Sequence, residues 1–318
     1  MIEVSDLTKH YGSQTALDGI SFSVPRGQVL GFLGPNGAGK STTMRILTGY
    51  LSASSGRASV AGHDVFTDST AVRRRIGYLP ESNPLYNEMR VVDYLVFCCR
   101  LRGVAADRRK ARIDYALEAC GLTERRREVI GRLSKGLRQR VGLAQAVVHD
   151  PEVLILDEPT SGLDPVQTRE TRDLIVRLGK AHTVILSSHI LPEVSATCDR
   201  VLILHRGRLV ADDHPADLAR RLATGRGLDV EVIVRGPRGR LEARLRRMPK
   251  LTISQLDALP GDEWRVVVHA DGDDPREQLA KAVVGAGLGL LEMRSRLLTL
   301  EDVFIELVTD EEAARWPG

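Results

Sequence analysis

Gly34-Pro35-Asn36-Gly37-Ala38-Gly39-Lys40-Ser41-Thr42 is the stretch on which the reading of this chain turns. It satisfies G-x-x-x-x-G-K-[ST] at every fixed position. Residues 28–33 just before it read as a short buried strand. Residues 42–48 just after it read as a helix opening, with Met44 and Leu47 on one side. Strand, glycine loop and helix are the setting that this pattern requires. Gly34, Gly37 and Gly39 carry no Cβ, so the backbone can wrap closely around phosphate oxygens. The helix N-terminus adds free N–H donors and a partial positive charge. Lys40 supplies a point charge for β- and γ-phosphates, and the Ser41 hydroxyl suits Mg²⁺.

A second stretch complements the first. Val153-Leu-Ile-Leu156 is continuously apolar, as a strand buried on both faces of a parallel sheet should be, and it ends in Asp157-Glu158. At the carboxyl end of such a strand, Asp157 is suited to hold Mg²⁺ and Glu158 to polarise an attacking water. Residues 183–186 and 201–204 repeat the apolar pattern, with helices expected over 169–178 and 190–197. This alternation predicts a parallel, doubly wound α/β core. Residues 2–4 and 20–24 alternate with period two and, with a strand at 57–61, predict an antiparallel β subdomain.

From about 82 to 150 the pattern is helical, so an insertion divides the core. Val92, Leu95, Val96 and Cys99 mark one helix face, and residues 107–119 a second helix that Gly121 stops. Ser134 caps a third helix whose buried face is read as Leu137, Val141, Ala144 and Val148. The texture changes past residue 222. Residues 1–222 are expected to form a nucleotide-binding domain and 226–318 a small α+β domain, with the linker near Thr224-Gly-Arg-Gly227. The second part reads βαββαβ, a ferredoxin-like order, and is followed by a helix over 300–308.

Composition narrows the function classes. The 318 residues allow two domains, with 42% hydrophobic and 27% charged residues, an ordinary globular profile. A net charge of +3 is too weak to argue for nucleic acid, and no nucleic-acid partner is expected. The arginine runs at 73–75, 108–110 and 125–127 read as solvated helix faces. Cys98, Cys99, Cys120 and Cys198 lack C-x-x-C spacing and are expected to be reduced and mostly buried. No apolar run approaches the roughly 20 residues of a membrane span, so membrane association is expected only through a partner. The opening residues 2–7 read as a strand and not as a signal peptide.

Further motifs carry a resemblance. Leu133-Ser134-Lys135-Gly136-Leu137-Arg138-Gln139-Arg140, lying between the two site motifs, resembles the signature loop of ATP-binding cassette (ABC) ATPases. Ser161-Gly162-Leu163-Asp164 is similar to that family's D-loop, and His189 to its H-loop histidine. Tyr11 in Lys9-His-Tyr-Gly12 resembles the aromatic that stacks on adenine. The resemblance spans about residues 2 to 215 and implies a P-loop NTPase fold that binds ATP and Mg²⁺. It implies that Glu158, His189 and Lys40 are catalytic. Tyr11, Gly34, Pro35, Asn36, Gly37, Ala38, Gly39, Lys40, Ser41 and Thr42 would bind nucleotide, and Ser41, Asp157 and Glu81 would hold metal. Ser134 and Gly136 would contact the γ-phosphate held by another subunit, so two cassettes would sandwich two ATPs head to tail, as a homodimer or with a homologous chain.

Three positions depart from the family pattern. Lys135 replaces a glycine, Leu137 a glutamine, and Glu81, after Ile76-Gly-Tyr-Leu-Pro80, a glutamine that touches Mg²⁺. A carboxylate at 81 is a harder, charged ligand that also brings negative charge toward the γ-phosphate. The segments 77–81, 133–136 and 142–146 are similar to the gliding-motility-type branch, which serves ABC-2 type permeases. Thr299-Leu-Glu-Asp-Val-Phe304 resembles the end of ABC-2 exporter ATPases. The expectation is therefore the ATPase subunit of an exporter, cytoplasmic and peripheral on the membrane through its permease. The alternatives are a soluble ABC-type ATPase acting on a non-membrane partner, or a nucleotide-gated regulatory module.

Overall fold

The computed structural model describes residues 1–217, 228–248, 251–270 and 274–296. The chain divides into two compact units, Met1–Pro215 and Ala216–Gly318. In the first, β1 (Ile2–Tyr11) and β2 (Gln14–Val24) form an antiparallel hairpin, which β4 (Ser55–Val60) and β5 (His63–Asp64) extend in the order β2-β1-β4-β5. The second sheet contains β3 (Val29–Leu33), β6 (Ile76–Leu79), β7 (Val153–Leu156), β8 (Thr183–Ser188), β9 (Arg200–His205) and β10 (Arg208–Asp213), in the order β10-β9-β3-β8-β7-β6. Five of these strands are parallel, and β10 closes one edge antiparallel to β9. The expected parallel core and antiparallel subdomain are both present.

The first core lies between the two sheets. Ile2, Leu7, Ile20 and Phe22 of the antiparallel sheet meet Leu30, Phe32, Ile155 and Leu202 of the parallel one. Helix α1 (Lys40–Leu47) adds Met44, Ile46 and Leu47 to the same cluster. Phe22 and Phe32 pack edge to face with ring centroids 5.3 Å apart. Parallel register is what positions the site. Leu33 pairs with Ser188, and Leu156 with both Leu79 and Leu186. The carboxyl ends of β3, β6, β7 and β8 therefore stand side by side, and their following loops open onto one edge of the sheet.

The helical insertion contains α3 (Val91–Leu101), α4 (Ala106–Ala119) and α5 (Lys135–Val147); α2 (Ser69–Arg75) precedes β6. Ser134 caps α5 as expected, its hydroxyl accepting the Leu137 N–H at 3.3 Å. The buried face of α3 is Val91, Tyr94, Leu95, Cys98 and Cys99, whereas Val92 and Val96 are only half-buried. The expected stripe is rotated because Tyr94 turns inward and joins Tyr86 and Phe97 in an edge-to-face cluster. On α5, Leu137 is half-buried and Gly136 and Gln139 are buried in its place. Helix α6 (Pro165–Gly179) begins four residues before its expected start, with Asp164 as N-cap and Pro165 as first residue. Helix α7 (Leu191–Thr197) links β8 to β9. All four cysteines are buried and free.

In the second unit, β11 (Leu228–Arg235), α8 (Arg238–Leu245), β12 (Leu251–Leu259), β13 (Glu263–Ala270), α9 (Arg276–Gly285) and β14 (Gly289–Arg296) follow in the expected βαββαβ order. Its antiparallel sheet runs β12-β13-β11-β14. Val230, Val232, Val266 and Val268 pack on Leu241, Leu245, Leu279 and Val283 of the two helices. The linker expected at 224–227, the helix expected over 300–308 and the stretch 299–304 lie outside the described residues.

Candidate functional site

The loop between β3 and α1 is shaped by its glycines. Gly39 sits at φ 111°, where an added Cβ would meet the Ala16 carbonyl at 2.8 Å. A Cβ on Gly34 would overlap the Leu204 carbonyl. Both positions exclude other residues, so the backbone curls tightly and leaves N–H groups facing outward at the start of α1. Lys40 folds back across this curl. Its ammonium donates to the carbonyls of Gly34 at 2.6 Å and Pro35 at 3.2 Å and lies 3.7 Å from Glu158 Oε1. Burial lowers the Lys40 pKa, opposed by the charges of Glu158 and Asp157.

The acidic pair ending β7 is held by the neighbouring strand ends. Ser187 Oγ donates to Asp157 Oδ1 at 2.6 Å and accepts the Glu158 N–H at 2.8 Å. Ser41 Oγ donates to the same Asp157 oxygen at 3.1 Å. Asp157 is 1% exposed, and its Oδ2 is buried with no hydrogen-bond partner among the described residues. A buried, unpartnered carboxylate oxygen next to a hydroxyl is a hard-oxygen donor set that fits Mg²⁺. Glu158 lies at φ 49°, a left-handed conformation that turns its side chain back toward Lys40. His189 Nδ1 lies 2.9 Å from Glu158 Oε2. An ionised carboxylate only accepts, so the proton of that contact sits on Nδ1.

One cavity of about 500 Å³ gathers most of the sequence-predicted residues. Tyr11, the loop from Pro35 to Thr42, Glu81, Glu158 and His189 all line it. Tyr11 is 47% exposed at its rim, with Lys9 Nζ 5.2 Å from the ring centroid. Gly34 and Asp157 lie just behind the wall, touching Lys40 and Ser41. Glu81 is exposed and accepts no hydrogen bond from a described residue. It also borders a second cavity of about 860 Å³ that reaches Asn83, Asn87, Lys135 and Arg138.

Ser134 and Gly136 are not brought to the first cavity. They open α5, where Gly136 packs against Gln167 and Lys135 reaches over Gly162. Sequence reasoning missed Ser187, and it named Gln139, whose amide donates to the Pro159 carbonyl at 2.8 Å, and Ser161, which lines both cavities, only as members of the 133–140 and 161–164 loops, without a role of their own. For Ser187 a signal was available: two serines, Ser187 and Ser188, end an otherwise apolar strand.

Comparison with known proteins gives the family. The ABC transporter family profile matches residues 17–161. The chain is 33% identical over 317 residues to the bacitracin transport ATP-binding protein BcrA of Bacillus licheniformis, covering 97% of each chain. It is 36% identical over 318 residues to the daunorubicin resistance ATP-binding protein DrrA3 of Streptomyces coeruleorubidus, covering 99% of this chain and 98% of the other. A solved structure of an ATP binding subunit of an ABC transporter aligns with TM-score 0.64 at 31% identity, covering 70% of this chain and 93% of that one.

Proposed function

The chain belongs to the ABC transporter family as an ATP-binding ATPase subunit, and from this we propose that it drives export by ATP-dependent pairing of two cassettes beneath separate membrane subunits. The observation that carries the pairing is a site that one chain leaves half-built. Tyr11, Lys40, Glu158 and His189 share a cavity, while the Ser134–Gly136 anion-binding turn opens elsewhere. A second chain's signature loop supplies the missing wall. The names of the two near-full-length relatives, for bacitracin transport and daunorubicin resistance, support the export direction.

In this reading residues 1–222 form the nucleotide-binding domain and 226–318 an accessory domain. Tyr11 stacks on the adenine, and the loop from Gly34 to Thr42 wraps the phosphates. Lys40 holds the charge of the β- and γ-phosphates. Ser41 and Asp157, with Glu81 at the rim, would hold Mg²⁺, which neutralises charge on the transferred phosphoryl group. Glu158 takes the proton of the attacking water as its oxygen bonds to the γ-phosphorus. The bond from that phosphorus to the bridging oxygen breaks, and ADP and phosphate leave. His189 orients Glu158 through Nδ1 and faces the γ-phosphate. The membrane subunits dock in the groove between the α/β core and the helical insertion, beside Glu81, where Arg45, Tyr50, Tyr78, Asn83 and Tyr94 line a cavity of about 480 Å³. The protein is thereby held at the cytoplasmic face of the membrane.

Light scattering on the Glu158→Gln protein tests the pairing. Dimer in saturating Mg-ATP and monomer without nucleotide is the expected result. A strict monomer in both, with ATP bound, would overturn pairing of this chain with itself.

A further inference from the structure

The loop that follows Glu158 is gripped from two sides by residues outside the nucleotide cavity. Thr160 is 7% exposed, and its hydroxyl donates to Glu193 Oε2 at 2.6 Å. The same carboxylate oxygen accepts a longer contact from Ser188 Oγ at 3.4 Å. Ser188 Oγ in turn accepts the Ile190 N–H at 2.9 Å, across His189. Glu193 is fixed on α7, where its carbonyl accepts Thr197 Oγ1 at 2.7 Å. From the opposite side, the buried Gln139 of α5 donates to the Pro159 carbonyl at 2.8 Å. One carboxylate thus ties Thr160, two residues past Glu158, to Ser188, which adjoins His189.

We propose that Glu193 is a positioning residue for ATP hydrolysis: it locks the loops after β7 and β8 together, so that the His189 imidazole stays on the Glu158 carboxylate. The inference rests on the roles proposed above for Glu158 and His189. Glu158 occupies a left-handed conformation, which a residue with a Cβ keeps only where its surroundings over-determine it. Ser187 grips its N–H from one side. Behind it, the Ser161 N–H returns to the Glu158 carbonyl at 3.0 Å and the Leu163 N–H to the Thr160 carbonyl at 3.2 Å. Any displacement of Thr160 is therefore carried back to Glu158. A carboxylate accepts from both hydroxyls at once, and charge assistance strengthens the shorter contact.

The test uses the full chain, with steady-state phosphate release, ATP titration and a thermal melt on each variant. Glu193→Ala and Thr160→Val should each lower kcat about 10-fold, with the KM for ATP within about 2-fold, because the general base is misplaced while the nucleotide loop is untouched. Glu193→Gln and Thr160→Ser should retain most of the turnover, since an amide oxygen and a serine hydroxyl can remake the contact. The double variant should be no worse than either single one, the sign of one shared interaction. Wild-type kcat in Glu193→Ala would overturn the proposal. So would fully additive losses, or a loss that falls equally on ATP affinity and melting midpoint. If Glu193→Ala fails to fold, the Thr160→Val and Thr160→Ser pair reads the same contact from its other end. Glu158→Gln is assayed in parallel. If it turns over at the wild-type rate, the role of Glu158 fails; if it is silent while Glu193→Ala and Thr160→Val are wild type, only the inference about Glu193 fails.

Discussion

Replacing Glu158 by glutamine separates chemistry from binding. The amide keeps the shape of the side chain and one oxygen that accepts from His189 Nδ1, now 2.9 Å from the carboxylate. It cannot take a proton from water. Loss of a positioned general base typically costs about 10²–10⁴-fold in kcat, which is roughly 3–5 kcal/mol on the barrier. Binding should move the other way. Glu158 Oε1 stands 3.7 Å from Lys40 Nζ, an attraction of about 4 kcal/mol at an effective dielectric near 20. Both side chains are nearly buried, so desolvation offsets most of that attraction. Removing the carboxylate therefore frees the Lys40 ammonium for phosphate and removes a like charge facing it. ATP affinity should hold or rise, and the melting midpoint should shift by only a few degrees. Phosphate release, calorimetric ATP titration and a thermal melt measure the three quantities. Turnover near the wild-type rate would remove Glu158 as the base; parallel loss of ATP affinity and turnover would show that the carboxylate holds the loop together instead.

Other perturbations reach different parts of the site. Lys40→Ala removes the buried cation and should weaken ATP binding by about 2–3 kcal/mol, up to roughly 100-fold in Kd; an unchanged Kd by calorimetry would sink its assignment to the phosphates. Glu81→Gln should raise the Mg²⁺ concentration needed for half-maximal hydrolysis and leave turnover at saturating metal, because an amide oxygen holds Mg²⁺ less firmly than a carboxylate. Superimposable Mg²⁺ titrations would place Glu81 away from the metal. His149 is pushed down to about 4, first by burial and then by the Arg102 charge. The unfolded chain therefore takes up that proton first. The stability this neutral histidine contributes is present above about pH 6.5 and lost as pH falls toward 4, by about 3 kcal/mol in all. Urea midpoints followed through that window should converge for the wild type and His149→Gln as pH drops; parallel curves would refute the assignment.

The limits of sequence reading are visible in particular elements. The βαββαβ order of the second unit was legible because short alternating or apolar runs are punctuated by turn residues. Strand β10, at 208–213, was missed: Arg208, Asp212 and Asp213 give it a polar pattern, and an edge strand needs no apolar run. Helix α2 was missed because it is short and buries only Val72. The stripe on α3 was rotated because an inward tyrosine and two adjacent cysteines offer several faces of similar hydrophobicity, and packing against α4 and α5 chooses among them.

By itself the sequence determined what is local. A glycine loop that tolerates no Cβ, a lysine and serine at the start of a helix, and an apolar strand ending in two acids are each defined within a few residues by backbone sterics and burial. The tertiary structure alone decided which of these groups meet. Ser41 reaches Asp157, and His189 reaches Glu158, because the parallel pairing of Leu33 with Ser188 and of Leu156 with Leu186 brings the carboxyl ends of β3, β7 and β8 to one edge of the sheet. Fully apolar strands carry no alternation, so nothing in their sequence fixes that register. It is set by long-range pairing and by what packs on both faces of the sheet. The grip of Ser187, Gln139 and Glu193 on the Asp157–Thr160 loop has the same origin: each comes from a different element, and each is an ordinary polar residue until the fold brings it there.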